Sequence, residues 1–216
     1  FLREAEDERL GGGLYWKESE KTSKNACTIG PSALVGLKLA RATGLERYRS
    51  DAKRWLSWLR LNLQDPESKL FWDNIRLDGK IEKTHWTYNT ALPLRCLVEL
   101  GRAGDAQAVE DAKVMAQSAV KRWIDPDTGA IRDEASFAHH LADALYDLAE
   151  VTGEVSWKEA ADSAVRSVWE RSRLPDGHFG LRWDGIRSER DDRRLLLFTA
   201  SAARGFYSAA HAGRRP

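Results

Sequence analysis

At 216 residues the chain can bury a sizeable core. Its 34 Lys and Arg nearly cancel 33 Asp and Glu, leaving a formal charge of +1. That balance argues against a dedicated nucleic-acid or polyanion binder. No apolar run approaches the ~20 residues a membrane helix needs, so no membrane span is predicted.

The opening FLREAEDERL reads as the end of a helix already under way, so residues 1–216 are expected to form one domain truncated at its N-terminus. Leu10–Ala26 (LGGGLYWKESEKTSKNA) has too many glycines for a strand interior and too few apolar residues at helical spacing. It reads as a glycine hinge, a short aromatic strand and a polar loop. Pro31–Thr43 leaves only Lys38 and Arg41 as a polar strip, which predicts a helix covered on most of its surface and capped by Gly44. Glu46–Leu63 carries Tyr48, Ala52, Trp55, Leu56, Leu59 and Leu63 at helical spacing, a one-sided amphipathic helix.

A turn at Asp65–Pro66, the strand piece LFWDN and a return through Asp78–Gly79 predict a hairpin. The second apolar helix, Thr90–Arg102, follows WTYN and holds Pro93 in its first turn. Gly104 opens a turn, and Asp105 caps a second amphipathic helix ending near Trp123. The third cycle runs from DPDTGAIRDE through an apolar helix (Ser136–Thr152), Gly153 and an amphipathic helix (Ser156–Arg171) with Ser156 as its N-cap. LPDGHFGLRWDG then leads into a seventh helix within Asp191–His211.

SALVGLKLARATG, TALPLRCLVELGRAG and FAHHLADALYDLAEVTG are thus three copies of one unit of about 45–60 residues. Alternation of almost wholly covered helices with one-sided ones implies two layers, an inner and an outer. The predicted class is all-α, an α/α toroid with about seven helices and short β-hairpin loops at one end; an open α-solenoid is the alternative. Short glycine turns join inner to outer helices, while long aromatic loops return from outer to inner. The loops therefore gather at the N-terminal ends of the inner helices, among unpaired amides and the positive ends of the helix dipoles.

At LGGGLYW, KNA, LFWDNI and WTYN, in that order, the sequence resembles glycoside hydrolase family 76, the endo-α-1,6-mannanases. The resemblance implies the C-terminal part of an (α/α)6 barrel and a retaining hydrolase of α-mannan polysaccharide or oligosaccharide, extracellular or periplasmic. It further implies that Trp16, Lys24, Asn25, Trp86, Tyr88 and Asn89 line the sugar cleft. The family's catalytic Asp-Asp pair precedes the glycine-aromatic loop, and the ten residues before Gly11 contain none. The pair is expected in sequence preceding this chain, which alone would be inactive. Thr90-Ala91 also replaces the glycine usual after Tyr-Asn.

Asp191-Asp192 is the one adjacent aspartate pair present. It is a weak catalytic candidate, because helix capping explains acidic residues at that place. Asp73 and Asp133 each follow a strand piece and are further candidates, with turn or hairpin pairing as the plainer account. His139-His140 could serve the proton transfers of a sugar 2-epimerase or isomerase, a competing reading, although both share a polar strip with Asp143, Asp147 and Glu150. Beside that pair no convincing third metal ligand stands, so neither metal nor cofactor is expected. A non-catalytic carbohydrate-binding barrel is the remaining alternative. Cys27 and Cys96 read as two buried thiols. Trp55, Trp123, Trp157 and Trp169 are assigned to the core, and Trp16, Trp72, Trp86 and Trp183 to the loops.

Overall fold

A computed structural model describes residues 2–212. Seven α-helices occur among them: α1 (Ala26–Thr43), α2 (Glu46–Leu63), α3 (Thr87–Arg102), α4 (Ala106–Trp123), α5 (Ala135–Thr152), α6 (Val155–Ser167) and α7 (Leu196–His211). One antiparallel sheet has the order β1 (Ser23–Asn25), β2 (Asn74–Arg76), β3 (Ile81–Glu82). None of the described helices is long and apolar enough to cross a membrane. The chain divides into two compact units, Phe1–Met115 and Ala116–Pro216.

In the first unit α1 packs against both α2 and α3. Its glycines set the approach: a Cβ on Gly36 would stand 2.9 Å from that of Ala52 on α2, and one on Gly30 would stand 3.3 Å from Pro93 on α3. Gly44 closes α1 in the left-handed conformation, as its place after the last apolar residue predicts. Asp105 caps α4 by accepting the amide of Ala108 at 3.0 Å.

Both proline-bearing helices start earlier than predicted. Pro31 and Pro93 lie in the second turns of α1 and α3, leaving the carbonyls of Cys27 and Asn89 without their i+4 amides. Burial of most of both helices outweighs that loss; Ala26, Ile29, Ala91 and Leu94 are fully covered.

In the second unit α5 packs against α6 and α7. Asp143, buried on α5, accepts from Arg204 Nε at 3.1 Å and Nη2 at 2.9 Å and from Ser208 Oγ at 2.5 Å, all on α7. In the first unit Glu99 of α3 pairs with Arg41 of α1 at 3.4 Å. The narrow polar strips are therefore ion pairs between neighbouring inner helices. Asp143 and Asp147 are buried rather than partly exposed.

The sequence repeat is also a backbone repeat. After α2, after α4 and after the turn that ends α6, the chain doubles back through single antiparallel bridges: Gln64 with Phe71, Ile124 with Ile131, Arg173 with Phe179. Asp65 and Asp125 organise the first two turns alike, each accepting the amide two residues on, at 3.1 and 3.0 Å.

Several local expectations need correction. Residues 2–11 are not a helix end but hold two short 3-10 turns, Leu2–Ala5 and Arg9–Gly11, the second distorted at Leu10, which takes φ 56°. The N-cap position of α6 is Glu154, not Ser156. The segment before α7 is a separate 3-10 turn, Glu189–Arg193, so α7 starts at Leu196. A π-helical turn, Val168–Ser172, follows α6 and leaves Trp169 exposed, whereas Trp183 is core. Val35 and Leu39 on α1, and Leu196, Leu197 and Tyr207 on α7, stand exposed.

Candidate functional site

The first unit gathers most of the predicted site residues at the N-terminal ends of α1 and α3. β1 runs directly into α1, and Trp86 occupies the N-cap position of α3. The β1–β2–β3 sheet ties the two ends together, with Lys24 opposite Ile75 and Asn25 opposite Asn74. The first amide of α1, on Ala26, donates to the carbonyl of Asp73 at 2.9 Å. Trp16 lies along the outer edge of β1, its amide donating to Ser23 at 3.1 Å.

Asp73 is the centre of this arrangement. One carboxylate oxygen accepts from Asn74 Nδ2 at 2.8 Å and the other from Asn89 Nδ2 at 2.9 Å. Two neutral donors thus fix the plane of a half-exposed carboxylate and leave further acceptor capacity on both oxygens. Hairpin pairing is only half of the account, because the bond to Asn89 crosses from the sheet to the first turn of α3. Asn89 is fully buried, and its Oδ1 has no hydrogen-bond partner. Such an oxygen can accept from a ligand hydroxyl.

Neither asparagine serves as a side-chain cap. Asn25 stands at the N-cap position of α1 without making the bond, its Oδ1 instead accepting from Ser23 Oγ at 2.7 Å. Cys27 and Tyr88 are half-buried. Burial first, and the nearby Asp73 charge second, push the Cys27 thiol above its ordinary value, against a lowering hydrogen bond with Tyr88. Both cysteines are free thiols, Cys96 fully buried and Cys27 partly covered.

Lys24 departs from its expected role. Neither a solvated loop charge nor a group facing a cleft, its side chain has no exposed surface. Its ammonium binds Asp7 Oδ1 at 2.9 Å, the carbonyls of Arg9 at 2.7 Å and Asp7 at 3.3 Å, and the carbonyl of Gly12. Asp7, Tyr15, Asn74 and Cys27 are the participants that sequence reasoning missed. Only the position of Asn74, next to a candidate carboxylate, offered a signal.

The remaining candidates lie in the second unit. Asp133 is buried beside the N-terminus of α5, its Oδ1 accepting the Glu134 amide at 2.8 Å. The rings of His139 and His140 lie with centroids 3.9 Å apart and planes tilted by 36°, and His139 Nδ1 lies 3.1 Å from the Ala135 carbonyl one turn back. No group of three metal-ligating side chains occurs among the described residues.

Asp191 and Asp192 diverge. Asp191 is buried and accepts from the amides of Leu181 at 2.6 Å and Ser188 at 3.0 Å in a capping box, while the Asp192 side chain is 90 % exposed beside Arg194. A retaining pair requires two carboxyl groups about 5–5.5 Å apart facing one bond. One of these is occupied by backbone amides and the other points outward.

A GH76 α-mannanase of Bacteroides thetaiotaomicron superposes with a TM-score of 0.89 at 26% identity, over 99% of this chain and 61% of its own. The GH76A α-1,6-mannanase of Salegentibacter sp. HEL1_6 gives 0.85 at 25% identity, over 97% of this chain and 65% of its own. An inactive variant of that enzyme, with two aspartates replaced by asparagine, forms a complex with α-1,6-mannotriose. The chain therefore spans less than two thirds of the length of these relatives. Comparison with curated proteins gives no match. The family model for glycosyl hydrolase family 76 matches residues 2–211, both helix layers and every loop described above, and the chain belongs to that family.

Proposed function

We propose that this chain forms the sugar-holding face of a retaining endo-α-1,6-mannanase, acting on mannan polysaccharide or its oligosaccharides. Asp73 and Asn89 take the hydroxyls of one mannose unit, the carboxylate as paired acceptor and the buried amide oxygen as a second acceptor. Trp16 and Trp86 supply indole faces for the apolar face of a pyranose, and Tyr88 and Asn25 complete the rim. The amides and dipoles at the starts of α1 and α3 favour ligand oxygens there.

Holding the sugar in this way orients the glycosidic bond for attack. On this reading the two carboxyl groups of the reaction come from sequence outside these 216 residues, while Asp191 stays committed to a cap. The observation that carries the proposal is the Asn74–Asp73–Asn89 network set between two helix N-termini, in a chain of this family.

Titrating the chain with α-1,6-mannotriose, and the Asp73→Ala variant in parallel, tests the binding half. Saturable binding abolished in the variant is expected, and equal affinity of the two proteins rejects the assignment. Turnover of α-1,6-mannan by the whole gene product, with and without its own adjacent aspartate pair, tests the catalytic half. Unchanged turnover without the pair overturns it.

A further inference from the structure

Lys24 is a fully buried charged side chain that this sugar site does not use. A buried ammonium is costly unless its N–H groups are matched. Here the matching oxygens come from a single excursion of chain, residues 7–12: three carbonyls and one carboxylate. The rest of that excursion is fastened around the same point. Tyr15 pairs with Lys24 across an isolated bridge and donates its hydroxyl to Asp7 Oδ2 at 2.7 Å, with the ammonium 4.9 Å from its ring. Trp58 Nε1 donates to the Leu10 carbonyl at 2.8 Å. Gly13, at φ +79°, lies flat on that indole, where a Cβ would stand 2.7 Å from the ring.

We infer that Lys24 is a positioning residue: its ammonium is the internal cation around which residues 7–13 wrap, and this wrap fixes Tyr15 and Trp16 at the rim of the sugar site. The chain rises from the wrap straight into Tyr15 and Trp16, so the stacking face inherits its place from the cage. Only the statement about the rim rests on the proposed sugar site; the cage is independent of it. Lys24 itself touches no sugar.

The test uses two variants of the whole chain. Lys24→Met keeps the stem and removes the charge. Lys24→Ala removes the equivalent of propylammonium, which can be added back. Hydrogen exchange of amides 8–16 should quicken about tenfold or more in both variants while α2 and α5 keep their protection. Propylammonium chloride, but not the neutral propanol of similar size, should restore protection in Lys24→Ala. Unchanged protection overturns the inference, as does equal rescue by propanol, which would make volume the whole effect. Global unfolding of Lys24→Met also overturns it, assigning the residue to the core at large.

Affinity for α-1,6-mannotriose is the second readout. It should fall about tenfold in Lys24→Met although Asp73 and Asn89 are untouched, and it should return with propylammonium in Lys24→Ala. Unaltered affinity in a variant whose loop has loosened would detach the cage from the rim. Failure of the unaltered chain to bind mannotriose would sink the sugar-site proposal while leaving the exchange result to judge Lys24.

Discussion

The backbone amide of Phe71 donates to Oγ1 of Thr90, 3.1 Å away and wholly buried, pinning the strand that returns from α2 onto the first turn of α3. Phe179 and Thr199 repeat the relationship at 3.4 Å in the second unit. In this chain a side chain closes the contact. Replacing Thr90 by Val preserves shape and orphans a buried amide, which should cost about 1–3 kcal/mol. Thr199→Val, with a longer and less buried bond, should cost less. Denaturant midpoints of the two variants measure the difference, and equal losses would contradict it.

The repeat also supplies a matched pair of turns. Lys69 and Gly129 occupy the same place, each amide donating to an Asp four residues back, at 2.9 and 2.8 Å, with φ of 64° and 70°. A lysine held there is strained. Lys69→Gly should therefore raise stability by about 0.5–1 kcal/mol. Gly129→Ala should do the opposite and more severely, about 3 kcal/mol or beyond, because its Cβ would stand 1.9 Å from Ser163 Oγ as well as bearing the strain. Thermal melts of both variants decide the signs.

Legibility in the sequence followed locality. α2 was readable to both ends because Gly44 precedes it, Asp65–Pro66 follows it and its apolar positions keep one phase. The sequence puts the starts of α1 and α3 too late, because proline favours a helix's first turn and burial overrides that local rule here. Helical spacing puts Trp169 in the core, but a π turn carries more residues per turn than an α turn and rotates its side chain off the buried face. Asp73 was visible as a carboxylate after a strand piece. Its bond to Asn89, sixteen positions on, depends on the meeting of sheet and helix. Nothing local marks Asp7 as the partner of Lys24, seventeen positions away.

Acid should loosen the N-terminal segment first. Burial alone would raise the Asp7 carboxyl, but hydrogen bonds from Tyr15, Lys24 and Arg9 carry it well below the usual range. The Arg54 guanidinium lowers Glu6. Asp51 is also lowered, with bonds from Arg3 and Arg54 outweighing its burial. A carboxyl lowered in the folded state contributes stability that is complete above its unfolded pKa, near 4, and is lost as the pH falls through the folded value. The melting temperature should therefore hold level from pH 7 to about 5 and decline below about 4. Asp7→Asn should be less stable at pH 7 and decline less steeply. A slope identical to that of the unaltered chain would remove Asp7 from the account.

Trp16 separates binding from folding more cleanly than any other residue of the site. Trp16 is 53% exposed, and truncating its side chain leaves both the backbone amide bond to Ser23 and the Lys24 cage intact. Trp16→Ala should change stability by less than about 0.5 kcal/mol, as for most surface replacements. If its indole face stacks on a mannose unit, the same change should weaken α-1,6-mannotriose binding about tenfold, the order of 1–1.5 kcal/mol. Leu61, 85% exposed on α2 and outside the loop cluster, is the control, and Leu61→Ala should alter neither quantity. Calorimetric titration of the three proteins, with melts at the same pH, reads both effects. Full affinity in Trp16→Ala would leave the sugar to Asp73, Asn89 and Trp86 alone.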